Sequence, residues 1–382
     1  MNLTRRKMLL LVGGGAVVAA GGIFGYSATR TPQTAHLPWQ RAGTYSDPRM
    51  RALSWALLAP NPHNRQPWLV DLAEEGVITL YADLERMLPH TDPADRQITI
   101  GLGCFLELLR MAAAEDGYRV ETALVPEGSS PLSLDQRPIA RLTLVSDPSV
   151  ERDPLFGFVP ARRSNKEPFD TSRPVAPALL TQLAAVVKSA ARFGGTVDTA
   201  EVAEWRTFTH EALRIEVETP RTYQESVDLF RIGHQEVDAN PDGIDFTGPL
   251  FETLRLTGQF TREAASDTTN FAYKSGMNAI FANADTALGH VWLVTPDNSR
   301  EAQIATGADW VRINLAATAQ GLGFQPLSQA LQEYPEMAES FRYLHERLAP
   351  DGGTVQMLAR IGYGPEVGET PRWPLESRVM NV

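Results

Sequence analysis

The chain has 382 residues, 43% of them hydrophobic, enough to bury the core of one large domain or of two ordinary ones. Its 35 basic and 46 acidic side chains give a net charge of -11, with no basic patch interleaved with aromatics, which argues against nucleic-acid binding. A single cysteine, Cys104, excludes an intrachain disulfide, and seven dispersed histidines offer no zinc or haem spacing, so no metal site is expected.

Residues 1–35 read as a targeting segment, to be set apart from the fold. Thr4-Arg5-Arg6-Lys7-Met8-Leu9 resembles the twin-arginine export motif, and an uncharged, glycine-rich stretch follows over 8–26. That resemblance implies passage of a prefolded protein through the twin-arginine translocation machinery to the periplasm or another extracytoplasmic space. The apolar stretch is also just long enough to serve as an N-terminal membrane anchor. The nearest small-residue cleavage candidate is Tyr26-Ser27-Ala28, so the protein is expected to be soluble or anchored by its N-terminus.

Ser46-Asp47-Pro48 then caps a helix running through about Ala59. It breaks into the loop Pro60-Asn61-Pro62-His63-Asn64-Arg65-Gln66-Pro67 before Trp68. Strands are predicted over 68–72 and 77–81, around a turn at Glu74-Glu75-Gly76. A polar crossing at 89–96 leads to an apolar helix over 98–116 that carries Cys104 as a buried thiol. Two further apolar runs, 119–125 and 139–145, complete a first α/β half over 45–150.

The second half, 160–382, opens at Arg162-Arg163-Ser164-Asn165-Lys166. Helical periodicity is predicted over 176–191, 200–217 and 223–235. Irregular spacing with clustered Pro, Gly and Asp over 233–276 reads as an inserted excursion and a candidate lid. A strand at 290–295, helices at 299–320 and 336–349 and a strand at 354–363 bring the chain to its tail. The run 103–117 aligns without gaps on 307–321, as two amphipathic, alanine-rich helices ending in Gly would, or as an internal duplication would.

Three prolines in the 60–67 loop stiffen the backbone and remove donors, while two Asn and one Gln offer amides suited either to capping a connector or to holding a flat heteroaromatic ring. The sequence A-P-N-P-H-N-R-Q-P-W resembles the A-P-S-x-x-N-x-Q-P-W loop of the nitroreductase-like FMN oxidoreductase family. The resemblance implies an α+β, nitroreductase-like fold. Here it would comprise two degenerate α/β units fused in one chain, each a sheet packed with helices around long central helices, so that a monomer acts as a pseudo-dimer. In that family Pro60, Asn61, Pro62, Asn64 and Gln66 would lie against the flavin ring.

The same resemblance supplies the rest of an FMN site. Arg162-Arg163-Ser164-Asn165-Lys166 resembles the family's R-x-S-x-[RK] segment, in which Arg162, Arg163 and Ser164 would hold the phosphate and Lys166 would reach the pyrimidine edge. Pro371-Arg372-Trp373-Pro374-Leu375 resembles the closing P-R-x-P-L, making Arg372 a second phosphate ligand. Thr370 stands two positions before it, where the family often has a base. Ser328 and Gln329 correspond to the segment whose backbone N–H meets the hydride-accepting nitrogen.

The family carries electrons by ping-pong transfer from a small-molecule donor, through FMN, to a nitroaromatic, quinone or similar acceptor, with no dedicated acid-base dyad. His63 and Ser328 are the side chains placed to assist near the ring. Because NAD(P)H is not expected outside the cytoplasm, a quinol is the donor that export suggests. A second reading is an exported FMN-binding or flavin-storage protein, closed by the lid and turning over little or not at all. A third is a partner-binding protein without flavin.

Overall fold

The computed structural model describes residues 27–381. The twin-arginine motif and the apolar stretch after it lie outside the described residues. Asp47 accepts from the backbone N–H of Arg49 and, with Pro48 in the first turn, starts the Pro48–Ala56 helix. The helix stops earlier than predicted because the carbonyls of Leu57, Leu58 and Ala59 are taken by arginine side chains from the other half of the chain.

Strands β1 (Trp68–Asp71), β2 (Val77–Ala82), β3 (Tyr118–Leu124) and β4 (Ala140–Ser146) pair antiparallel in the order β1-β2-β4-β3. In the second half β5 (Arg192–Thr196), β8 (Gly289–Thr295), β9 (Gly323–Pro326) and β10 (Thr354–Gly362) pair in the order β5-β8-β10-β9, again antiparallel. The two orders are the same once each strand is matched to its counterpart in chain order. The C-terminal strand β11 (Val379–Asn381) breaks the parallel between the units by adding to β1 in parallel.

Each sheet carries a long helix between its second and third strands in chain order, Arg96–Glu115 in the first half and Arg300–Ala319 in the second. The two helices cross at Gly103 and Gly307. A Cβ on Gly307 would sit 2.0 Å from the carbonyl of Ile100, and one on Gly103 would sit 2.1 Å from that of Ile304. Cys104 is buried at this crossing, its thiol directed at the Gly307 carbonyl and its pKa pushed up to about 12 by burial. The helices also exchange their first residues. Arg96 donates to the carbonyls of Gln356 and Leu331 in the second half, and Arg300 donates to Ala94 O and Thr99 Oγ1 in the first. One hydrophobic core runs through both units, from Trp68 and Phe105 to Trp310 and Phe324.

Several elements differ from the prediction. The helix expected over 176–191 is only Ala178–Ala184, and the chain then forms β5. Gly194 and Gly195 hide that strand from a propensity reading. Gly194 is needed because a Cβ there would meet the Trp292 indole at 2.2 Å. The helix expected over 223–235 ends at Asp228 and gives way to β6 (Phe230–Ile232), parallel to β7 (Ile244–Phe246). The 233–276 excursion is therefore not irregular. Together with 227–232 it forms a small core of Val227, Phe230, Ile232, Phe260 and Ala265, and it carries the helices Pro249–Leu256 and Arg262–Ser266. Within the expected targeting segment, Ser27 and Ala35 are buried in the folded body while most of the residues between them are exposed.

Candidate functional site

The 60–67 loop lies across the start of the first central helix, where Gly101 leaves room for it; a Cβ there would be 3.1 Å from that of Asn61. His63, Asn64 and Gln66 all have positive φ, between 46° and 51°, in a stretch without glycine. Such residues cost of order 1–3 kcal/mol each and persist only where surrounding contacts over-determine them. Those contacts are visible. Asn61 Oδ1 accepts from Gln66 N at 2.7 Å, Gln66 Nε2 donates to Pro241 O at 2.7 Å, and Gln66 Oε1 accepts from Trp373 N at 2.9 Å. Asn64 donates to Pro371 O and accepts from Arg372 Nη1. The amides of Asn64 and Gln66, expected to face a ring, thus hold the loop to the tail and the excursion. Pro60, Asn61, Pro62 and His63 form its partly exposed surface.

Arg162 and Arg372 both reach the Leu58 carbonyl. Arg162 is 3% exposed and donates from Nη2 to Leu58 O at 2.9 Å, while its Nε and Nη1 are buried with no partner among the described residues. Arg163 also has a buried Nε with no partner among the described residues, and its carboxylate contact there is a 3.9 Å approach to Glu369. Arg372, 2% exposed, differs from expectation. Its fork is filled by Leu57 O, Leu58 O, Ala59 O, Asn64 and Pro371 O, so it braces the loop and contributes charge more than spare donors. Burial pushes the pKa of Arg162 down to about 10 and that of Arg372 down to about 9, each reinforced by a neighbouring guanidinium. Buried cations with open N–H groups and so little anionic company are chemically suited to a phosphate.

Lys166 follows four residues on. It keeps exposed surface, yet burial lowers its pKa, while Asp245 and Glu216 act in the opposite direction. His63 lies within electrostatic reach of Lys166. Burial first, then Lys166 and Arg65, drive its pKa down to about 4, so its ring is neutral at pH 7, and its Nδ1 has no partner. Arg360 on β10 fixes the approach of the Lys166 segment by donating to Glu167 O at 2.7 Å while stacking on Phe169. Ser164 is half-buried beside them. Ser328 donates to Gln97 Oε1 at 2.9 Å, one helical turn from Gly101, and Gln329 begins the short 3-10 turn that follows. Basic segment and tail meet at the Leu57–Ala59 carbonyls beside the loop, and Ser328 joins the first turn of the central helix on which the loop lies.

Sequence reading missed Glu216, Asp242 and Asp245, which sit in no motif. Glu216, at the end of the Thr199–Glu218 helix, is buried and accepts from Gln332 Nε2 at 2.7 Å. Burial raises its pKa from 4.5 to about 7. A carboxyl that holds its proton more tightly when folded favours the folded state below its unfolded pKa, and that contribution is lost as pH rises through the folded value. Unfolding free energy is therefore expected to fall between pH 4.5 and about 7 by an amount that Glu216→Gln removes, read from urea titrations across that range.

Asp242 carries the excursion onto the loop. Its carboxylate receives Arg65, Arg86 and Arg231, each at 2.8 Å, and all four side chains are largely buried. Asp242→Ala is expected to lower stability by about 2–3 kcal/mol, the lower end of the penalty for breaking a buried ion pair because the arginines retain some solvent. It is also expected to expose 233–276 to limited proteolysis before the two central helices unfold.

No family model matches the chain. The "Putative NAD(P)H nitroreductase acg" of Mycobacterium tuberculosis is 26% identical over 338 residues, covering 85% of this chain and 93% of that protein. Among solved structures, the FMN-dependent nitroreductase NfnB from Mycobacterium smegmatis, in complex with NADPH, is 19% identical and covers 57% of this chain and 92% of that one, with a TM-score of 0.33. A nitroreductase-like family protein from Bacillus cereus is 13% identical over 60% of this chain and 95% of that one, also with a TM-score of 0.33. TM-scores this low carry no weight for the fold. The similarity to the putative nitroreductase of Mycobacterium tuberculosis spans both halves of the chain.

Proposed function

We propose that the chain is an FMN-dependent oxidoreductase of the nitroreductase type, with one flavin held between two fused, degenerate units of the same fold. The observation that carries this reading is Arg162, a buried guanidinium whose Nε and Nη1 have no partner among the described residues, beside Arg163 and Arg372 and across from the 60–63 loop surface. Those donors fit the phosphate of FMN, and the ring would lie against the 60–63 surface near His63 and Lys166. Bound FMN supplies two-electron redox chemistry between a donor and a nitroaromatic, quinone or similar acceptor.

The chain's own residues bind and orient. Arg162 and Arg163 hold the phosphate, with Ser164 adding a hydroxyl. Pro60, Asn61 and Pro62 present a rigid apolar edge, and the strained backbone of His63 to Gln66 keeps that edge in place. Lys166 sets a positive charge where the reduced ring becomes negative. The twin-arginine resemblance makes the protein an exported one, soluble or anchored, for which a quinol is a more accessible donor than NAD(P)H.

One observation favours the second reading, a flavin-holding protein that turns over little: the excursion is fastened directly to the flavin loop through Asp242 and through Gln66 with Pro241. Anaerobic reduction of the yellow protein with dithionite, followed by mixing with a menaquinone analogue or a nitroaromatic, separates the two. Fast reoxidation by either acceptor is the expected result. Indifference to both acceptors, and to quinol and NADH as donors, would leave flavin holding as the function.

A further inference from the structure

The arm joining the N-terminal targeting segment to the first helix is built into the anion site. The backbone N–H groups of Gln33, Thr34 and Ala35 donate to the Asp238 carboxylate of the excursion at 2.8 to 3.0 Å. Ala35 O accepts from Arg372 N at 2.8 Å. Trp39, 9% exposed, donates from its indole N–H to Thr370 O at 2.8 Å, and its ring lies 4.6 Å from the Arg163 guanidinium and 5.7 Å from that of Arg372. Between these anchors stands His36, whose Nδ1 is buried with no partner. His36 directly follows Ala35, whose carbonyl takes the Arg372 backbone N–H, and stands three residues before the Trp39 ring that stacks on Arg163, which puts it at the edge of the cationic cluster.

Of the two guanidiniums that flank Trp39, Arg372 has its fork filled and Arg163 keeps an open Nε, so the unpartnered His36 nitrogen and the Arg163 Nε are polar groups suited to one shared ligand. Thr370 sharpens the point. It provides no basic side chain, but its carbonyl tethers the Trp39 indole and so draws the arm against the arginines. We propose that the arm is a third component of the anion site: His36 is a further ligand of the phosphate, and Trp39 positions Arg163 and Arg372 for it by stacking. Seating of the arm and binding of the phosphate-bearing cofactor then become one event. The connection to the export signal is ordered by the cofactor it must carry.

This inference rests on the FMN reading, and the test separates the two. Full-length protein freed of flavin is titrated with FMN and with riboflavin, which lacks the phosphate, and FMN binding is then challenged with inorganic phosphate. For the wild type, FMN is expected to bind far more tightly than riboflavin. His36→Ala and Trp39→Ala are each expected to weaken FMN about tenfold, the loss of a hydrogen bond to a charged group, while riboflavin affinity stays unchanged. His36→Ala is also expected to lower the affinity for inorganic phosphate. Unchanged riboflavin binding reports that the ring site is intact, so misfolding cannot mimic the result. If the FMN-to-riboflavin ratio of both variants equals that of the wild type, whether affinities fall together or not at all, the arm holds no phosphate and the inference fails. If the wild type itself binds neither flavin, or both equally, the phosphate site fails with it.

Discussion

Gly307→Ala is expected to cost more than about 4 kcal/mol and to leave little soluble protein, a large share of the 5–15 kcal/mol that typically holds a domain together. The added methyl would stand 2.0 Å from the Ile100 carbonyl and 2.7 Å from the Cα of Gly103. Both are backbone atoms of a helix packed on every side, so neither can move aside as a flexible side chain would. The two central helices would have to separate, and they carry the core that both units share. Gly276→Ala supplies the control. It lies in the Phe271–Asp285 helix with no atom within 4 Å of the new methyl, so the change is expected to be neutral or to stabilise by about 0.5–1 kcal/mol. Urea midpoints of the two variants measure the difference directly. A Gly307→Ala protein as stable as the wild type would mean that the helices do not cross at this point.

Arg372→Ala and Arg162→Ala are expected to fail in different ways, although both residues belong to motifs that point to phosphate. Arg372 satisfies three successive carbonyls at the end of a helix, together with Asn64. Removing it leaves those buried acceptors bare and frees the strained 63–66 backbone, for an expected loss of about 3–5 kcal/mol in stability. Arg162 gives one hydrogen bond to Leu58 O and keeps two nitrogens unpartnered among the described residues. Its removal is expected to cost about 1.5–3 kcal/mol of FMN affinity while the flavin-free protein melts within a few degrees of the wild type. Thermal melts with and without FMN give both quantities for each variant. Equal loss of cofactor-free stability in the two would show that Arg162 is also a brace and not a ligand in waiting.

The sequence by itself determined which segments are candidates for the chemistry. The loop at 60–68, the basic run at 162–166 and the arginine at 372 could be located without coordinates because proline, amide and arginine spacings are local signals. The long helices were legible for the same reason, since twenty residues of sustained periodicity outweigh any one contrary position. What failed was short or glycine-bearing. β5 contains two glycines that only the Trp292 indole explains, and β6 and β7 are three residues each, too short for periodicity to speak.

Only the tertiary structure decided what each of those residues does. Gln66 reads as a ring contact until its amide is found between Pro241 and Trp373, and Arg372 reads as a ligand until its fork is found filled. Asp242, Glu216 and His36 belong to no motif because their roles depend on partners far away in sequence. A carboxylate's surroundings are set by which chains fold over it, not by its neighbours along the backbone. The same holds for the targeting boundary. Composition places residues 27–35 with the signal, whereas Gln33, Thr34 and Ala35 are hydrogen-bonded to Asp238 and Arg372 of the folded body. Local spacing names the candidate ligands, and burial with satisfied or unsatisfied hydrogen bonds decides which of them remain free to bind.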